Sequence, residues 1–212
     1  MGLDDLIKGM PSVSKITKKN VKSNFTPTYF EFPSNIKLDK YWLEKIPDNC
    51  ERILDLGCGL GYTTRWIYDN KCKQVVGVDA SKDAIKQAIS LQPIKHFYVN
   101  DFKKLNFRDN NFDIVWAQDS LKYANNINEF MSNIAYVLKS LGRLFAIIPL
   151  YGLSSKELIY AWMPSNIEEV KELCINAGFE IEKIEQIDVL SKFGVLHQAS
   201  NNQFIFLIAK KE

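Results

Sequence analysis

Asp55 stands two residues ahead of three alternating glycines, Gly57, Gly59 and Gly61, in the run Ile53-Leu54-Asp55-Leu56-Gly57-Cys58-Gly59-Leu60-Gly61-Tyr62. Glycines at that spacing let the backbone turn sharply and approach a ligand where a Cβ would collide. The loop amides and the N-terminus of the helix that follows then face the ligand. The dinucleotide fingerprint is G-x-G-x-x-G, with its third glycine one position later than here. An acid beside a bound pyrophosphate would repel it, whereas beside a cationic amine it would attract. The stretch therefore suits a nucleoside that carries an amino acid better than one that carries phosphates.

With its acid and its spacing, this stretch resembles motif I of the class I S-adenosylmethionine-dependent methyltransferases. The resemblance implies S-adenosylmethionine as cofactor and S-adenosylhomocysteine as product. It also implies that Asp55, Gly57, Cys58 and Gly59 wrap the methionine part of the cofactor.

Ligands of open α/β sheets bind beyond the carboxyl ends of the strands. Asp79, 24 residues after Asp55, ends the second apolar run and is followed by Ala80. A carboxylate there can accept both ribose hydroxyls, the role the resemblance implies, with Ala80 beside it among the cofactor contacts. The alternative is an acid that simply favours a helix N-terminus. Asp101-Phe102 ends the third run. The resemblance implies an acid for the adenine amine and an aromatic beside the ring, while Phe102 also suits plain core packing. Gln118-Asp119-Ser120 ends the fourth run, where the family contacts the methionine end of the cofactor and the neighbours of the acceptor. The stretch that follows, Leu121-Lys122-Tyr123-Ala124, has no His, a departure from many small-molecule methyltransferases. The Gln-Asp pair resembles enzymes that methylate small amines.

Methyl transfer from an activated sulfonium asks mainly for alignment and exclusion of water. A base is needed only where the acceptor carries a proton at the moment of attack. The candidates are Asp119, Tyr123 and His197, whereas His96 lies at the far end of its strand and reads as structural. The acceptor pocket is expected from three pieces: the aromatic N-terminal segment, residues 149–164 with Tyr151, Tyr160, Trp162 and Met163, and the 191–203 loop.

Alternating strands and helices must position these groups. Residues 53–56, 74–79, 94–99, 112–117 and 143–149 read as five parallel strands with right-handed crossovers. Ser81 is an N-cap candidate for a helix with Ala84, Ile85, Ala88 and Ile89 on one face. Ile127 through Leu141 falls at helical spacing, with Gly142 at the following turn. Ile167 through Ala177 forms a further helical stripe ended by Gly178. Residues 179–190 and 204–209 lack a helix between them and must pair antiparallel. Alternation slips between Ile181 and Ile184, which predicts a bulge or a bend. The whole is an α/β, Rossmann-like fold with a seven-stranded sheet, five parallel strands, a C-terminal antiparallel hairpin and helices on both faces.

Two regions are expected. Residues 1–45 form an N-terminal arm and an aromatic segment, Phe25 to Trp42, in which Pro27 and Pro33 break regular structure. That segment either caps the core or closes over the ligand. Residues 46–212 form the cofactor-binding domain. A net charge of +2 over 212 residues and the lack of an Arg- or Lys-rich cleft argue against nucleic acid. The four cysteines form no C-x-x-C pair, so no metal site is expected. They read as reduced thiols of a cytoplasmic protein, with no membrane span. The function that follows is methyl transfer to a small-molecule or peptide-like acceptor. The rival reading is a binder of the same cofactor that transfers no methyl group, either a regulatory partner or a sulfonium-assisted enzyme. The acceptor atom and the oligomeric state are not written in the sequence.

Overall fold

The computed structural model describes residues 36–92, 94, 96–102, 105–150, 162–188 and 203–212. They fall into two compact units, divided between Arg108 and Asp109.

The first unit runs α1 (Ile36–Leu43), β1 (Ile53–Leu56), α2 (Tyr62–Asn70), β2 (Val75–Asp79), α3 (Lys82–Leu91) and β3 (Phe97–Val99). Its strands lie in the order β3-β2-β1, all parallel. Every residue of β1 and β2 is buried, as apolar runs covered on both sides require. Gly77 in β2 is needed by its neighbours: a Cβ there would lie 2.6 Å from Thr64 Oγ1 and 2.8 Å from the Phe97 ring. Ser81 caps α3 as its sequence position suggests, its hydroxyl accepting the Ala84 amide at 3.2 Å. The buried face of α3 is Ala84, Ile85 and Ala88, but Ile89 is left 42% exposed.

At α1 the structure corrects the sequence reading. Prolines at 27 and 33 suggested a segment without regular structure through 43, yet residues 36–43 are helical. Trp42, Leu43 and Ile46 are buried, and Tyr41 meets the Trp42 ring edge-on at 4.6 Å. This end of the aromatic segment is packed core. The rest of the expected arm and lid, residues 1–35, lies outside the described residues.

The second unit runs β4 (Phe112–Gln118), a short 3-10 turn (Leu121–Tyr123), α4 (Ile127–Val137), β5 (Leu138–Pro149), α5 (Ile167–Asn176), β6 (Phe179–Asp188) and β7 (Gln203–Lys211). Its order is β4-β5-β7-β6. β4 and β5 are parallel, and β7 is antiparallel to both β5 and β6. The expected slip is present as a register shift between Ile181 and Lys183. Edge strand β6 carries charge along its length, with Glu182 gripped by Arg143 at 2.7 and 2.9 Å and Glu180 by Lys210 at 3.0 Å. Charged side chains of this kind guard an edge against pairing with another chain.

A second correction falls at the end of α4, which stops at Val137 and does not run on to Leu141. Leu138 pairs with Phe112 in the sheet. Leu141 sits at φ +62 and 61% exposed. The turn closes so tightly that a Cβ on Gly142 would meet Lys139 O at 2.9 Å and Phe112 O at 3.1 Å. Among the described residues the strands number seven. Three are parallel in the first unit, two are parallel in the second, and two close it antiparallel.

Candidate active site

The glycine loop leaves β1 in left-handed backbone, with φ of +83 at Gly57, +53 at Gly59 and +78 at Gly61. Side chains resist that region. At Gly61 there is also no room, because a Cβ would lie 2.5 Å from Phe97 and 3.2 Å from Ala88. The loop is pinned to β2: the Gly57 and Cys58 amides both donate to Val78 O, at 2.8 and 2.9 Å. The Gly59 amide donates to Asp79 Oδ2 at 3.0 Å. The other Asp79 oxygen, Oδ1, accepts the Ser81 amide at 2.8 Å. One carboxylate thus ties the loop after β1 to the turn after β2.

Asp55 is buried and accepts the Thr64 hydroxyl at 2.6 Å. Burial pushes its carboxyl up to about 7, the Thr64 bond pulls the other way, and the Asp79 charge adds to the rise. Burial also raises Asp79, against the pull of the Ser81 and Gly59 amides. The Cys58 thiol is buried and raised well above its ordinary value, first by burial and then by Asp55 and Asp79. It is an inert thiol whose place in the site is made by its backbone. Ala80 and Asp101 are exposed and Phe102 is half-buried. His96 holds Val75 O through Nδ1 at 3.1 Å and meets the Tyr68 ring edge-on, the structural role expected of it.

In the second unit, Gln118 ends β4 and Asp119 follows in left-handed backbone, φ +56. Lys122, buried in the 3-10 turn, donates to Asp119 Oδ2 at 2.6 Å and lies 5.2 Å from the Tyr123 ring centroid. The Trp162 amide donates to Lys122 O at 3.1 Å, bringing one of the expected acceptor-pocket aromatics to this turn. Asp119 Oδ1 and Ser120 Oγ are buried and find no hydrogen-bonding partner among the described residues. Strain in the backbone and orphaned polar atoms concentrate where ligands bind. His197, Tyr151 and Tyr160 lie outside the described residues.

Residues 54–146 match the family model described as a methyltransferase domain. This stretch is a class I S-adenosylmethionine-dependent methyltransferase domain. S-adenosylmethionine is the cofactor of that family and S-adenosylhomocysteine its product. Over 111 residues the chain is 28% identical to malonyl-[acyl-carrier protein] O-methyltransferase of Enterobacter lignolyticus, a match covering 52% of this chain and 43% of that protein. The chain thus spans less than half the length of this curated relative. Two solved structures share the fold at 20% identity. One is a chain of the complex between the Haloferax volcanii Trm112 methyltransferase activator and a methyltransferase, with TM-score 0.69, covering 82% of this chain and 88% of that one. The other is the [4+2]-cyclase SpnF, with TM-score 0.68, covering 82% and 80%.

The residues present suit the methyltransferase cofactor. Gly57 and Gly59 offer a cradle without Cβ atoms. Each Asp79 oxygen uses one lone pair on an amide and keeps another for a hydroxyl. Buried Asp55 has a hydroxyl partner and no cation among the described residues, a setting that a positively charged ligand would relieve. Thr64, Gly77 and Lys122 were not singled out from sequence. Thr64 lies nine residues after Asp55, on the first turn of the helix that the glycines open, and that position was the only signal it gave.

Among the described residues no group of three or more His, Cys, Asp or Glu could hold a metal, and no helix is long and apolar enough to cross a membrane.

Proposed function

We propose that this chain transfers a methyl group from S-adenosylmethionine to a small-molecule or peptide-like acceptor. The observation that carries the reading is the Asp79 carboxylate bridging the Gly59 and Ser81 amides in a domain of this family. Bound there, the cofactor would supply a sulfonium methyl already activated for attack. Asp79 would take the ribose hydroxyls, and the Gly57–Gly59 backbone would lie against the methionine part. Asp55, at the head of the loop, would favour the cationic end.

On the acceptor side the reading rests on Asp119, Lys122 and Tyr123. Lys122 neutralises Asp119, so the pair offers no net negative charge to a cationic amine. Asp119 Oδ1 would accept a hydrogen bond from a neutral O–H or N–H acceptor and orient its lone pair. Tyr123 and Trp162 would supply apolar cover. Asp101 and Phe102 are proposed for the adenine amine and ring.

A methyl-transfer screen with labelled S-adenosylmethionine against phenols, carboxylic acids and amines tests this reading. Label in a phenol or acid product is expected. Cofactor binding with no labelled product in any class would favour the second reading, a cofactor binder or sulfonium-assisted enzyme. One observation supports that rival: SpnF, which shares the fold, is a [4+2]-cyclase.

A further inference from the structure

The end of α3 reaches back to the glycine loop. Gln92 closes this helix, is 7% exposed, and donates from Nε2 to Leu60 O at 3.3 Å, 32 residues earlier in the chain. Ala88, one turn before it on the same face, lies against Gly61, where a Cβ would be 3.2 Å from the Ala88 Cβ. The Gln92 backbone amide donates to Ala88 O at 2.9 Å. Both contacts with the loop therefore come from a single helical turn.

Every backbone amide needs an acceptor, in the chain or outside it. Gly57 and Cys58 donate to Val78 O, Gly59 to Asp79 Oδ2, and Gly61 to Cys58 O at 2.9 Å. Of the amides from Gly57 to Gly61, that of Leu60 has no acceptor among the described residues. The peptide that follows it is held at both ends, its carbonyl by Gln92 and its N–H by Cys58 O. The Leu60 amide and the Leu60 carbonyl flank one Cα and are joined through only two soft dihedrals. Holding the carbonyl therefore limits the directions in which the amide can point.

We propose that Gln92 is a positioning residue for the cofactor: it holds the Leu60 carbonyl so that the Leu60 amide stays aimed at the methionine part. The inference rests on the reading that this chain binds S-adenosylmethionine. Gln92 touches no ligand itself and acts only through the loop. The methionine part carries a carboxylate, the acceptor with which a backbone N–H makes a charge-assisted hydrogen bond. The nucleoside part is held elsewhere, its ribose by Asp79, and does not depend on Gln92.

The test is isothermal titration of the full chain with S-adenosylhomocysteine and with methylthioadenosine, which keeps the nucleoside and lacks the amino acid. Gln92→Leu fills nearly the same space and cannot donate. It should bind S-adenosylhomocysteine about three- to tenfold more weakly than the unaltered protein, the scale of one hydrogen bond, and methylthioadenosine equally well. Gln92→Glu keeps the shape and donates only while its carboxyl is protonated. Measured against the unaltered protein at each pH, its deficit toward S-adenosylhomocysteine should shrink as pH falls from about 7 to about 5, while that of Gln92→Leu stays constant. Equal losses for both ligands, or no loss for either, would overturn the inference, as would a deficit in Gln92→Glu that ignores pH. Gln92 would then support the fold only. If the unaltered protein binds no S-adenosylhomocysteine, the cofactor reading fails first and the inference falls with it, an outcome the first titration alone reports.

Discussion

The Gly59 amide donates to Asp79 Oδ2 across 3.0 Å, although 20 residues separate them in the chain. The glycine loop and the acid of the next strand are therefore a single device. A substitution at either should be felt at the other.

Gly61→Ala should destabilise the fold by about 2–4 kcal/mol. Left-handed backbone accounts for roughly 1–2 kcal/mol of this, and overpacking against Phe97, 2.5 Å from the new Cβ, adds the rest. Chemical denaturation reads it as a lowered midpoint with an unchanged slope. An unchanged midpoint would mean that the Gly61 backbone does not lie against Phe97.

Asp55 makes ligand-free stability depend on pH. Its carboxyl ordinarily titrates at 3.8, and in the folded chain at about 7. The folded state therefore holds this proton through the window between those values. The stability it contributes is complete below about 3.8 and is lost as pH rises through about 7. Melting curves of the unaltered chain and Asp55→Asn, at about pH 5.5 and about pH 8, should diverge. The unaltered chain should lose more on going to the higher pH. A cationic ligand favours the ionised carboxylate, so affinity for S-adenosylmethionine should rise with pH across the same window. Parallel curves would place the ionisation of Asp55 outside it.

Lys122→Met should cost about 1–3 kcal/mol, less than a fully buried pair because the Asp119 side chain is 34% exposed. Lys122→Met combined with Asp119→Asn should recover most of that loss, since no charge is then left without its partner. Denaturant midpoints of the two single variants and the double variant measure this. Strict additivity would show that the 2.6 Å pair contributes nothing.

Leu141→Asn should stabilise the protein by about 0.5–1 kcal/mol, raising the melting temperature by a few degrees. Asparagine tolerates φ near +60 better than leucine, and the leucine now there is 61% exposed. A fall in melting temperature would mean that Leu141 is covered in solution.

Features written locally were legible in the sequence. The acid and glycine spacing located the loop, Ser81 announced its own cap, and the slip between Ile181 and Ile184 gave the register shift in β6. The end of α4 was not legible, because Leu138 and Leu141 continue the helical period. The tight turn at Gly142 shows itself only once Phe112 is in place beside it. Burial of Lys122 and Asn100 was hidden for a related reason. A lysine or asparagine is ordinarily a surface residue, and only the turn after β4 and the edge beside β2 bring these two inside. Prolines 27 and 33 drew the reading of α1 toward irregular structure, although neither lies within residues 36–43.

The claim that the first unit holds S-adenosylmethionine through Asp79 is tested most directly by titrating S-adenosylhomocysteine into the unaltered chain and into Asp79→Ala, with folding followed by circular dichroism. Saturable binding by the unaltered chain, weakened by about 1.5–3 kcal/mol in the variant, is the predicted result, the scale of hydrogen bonds to a charged group. Equal affinity in the two folded proteins, or a preference for NADH over S-adenosylhomocysteine, would contradict it.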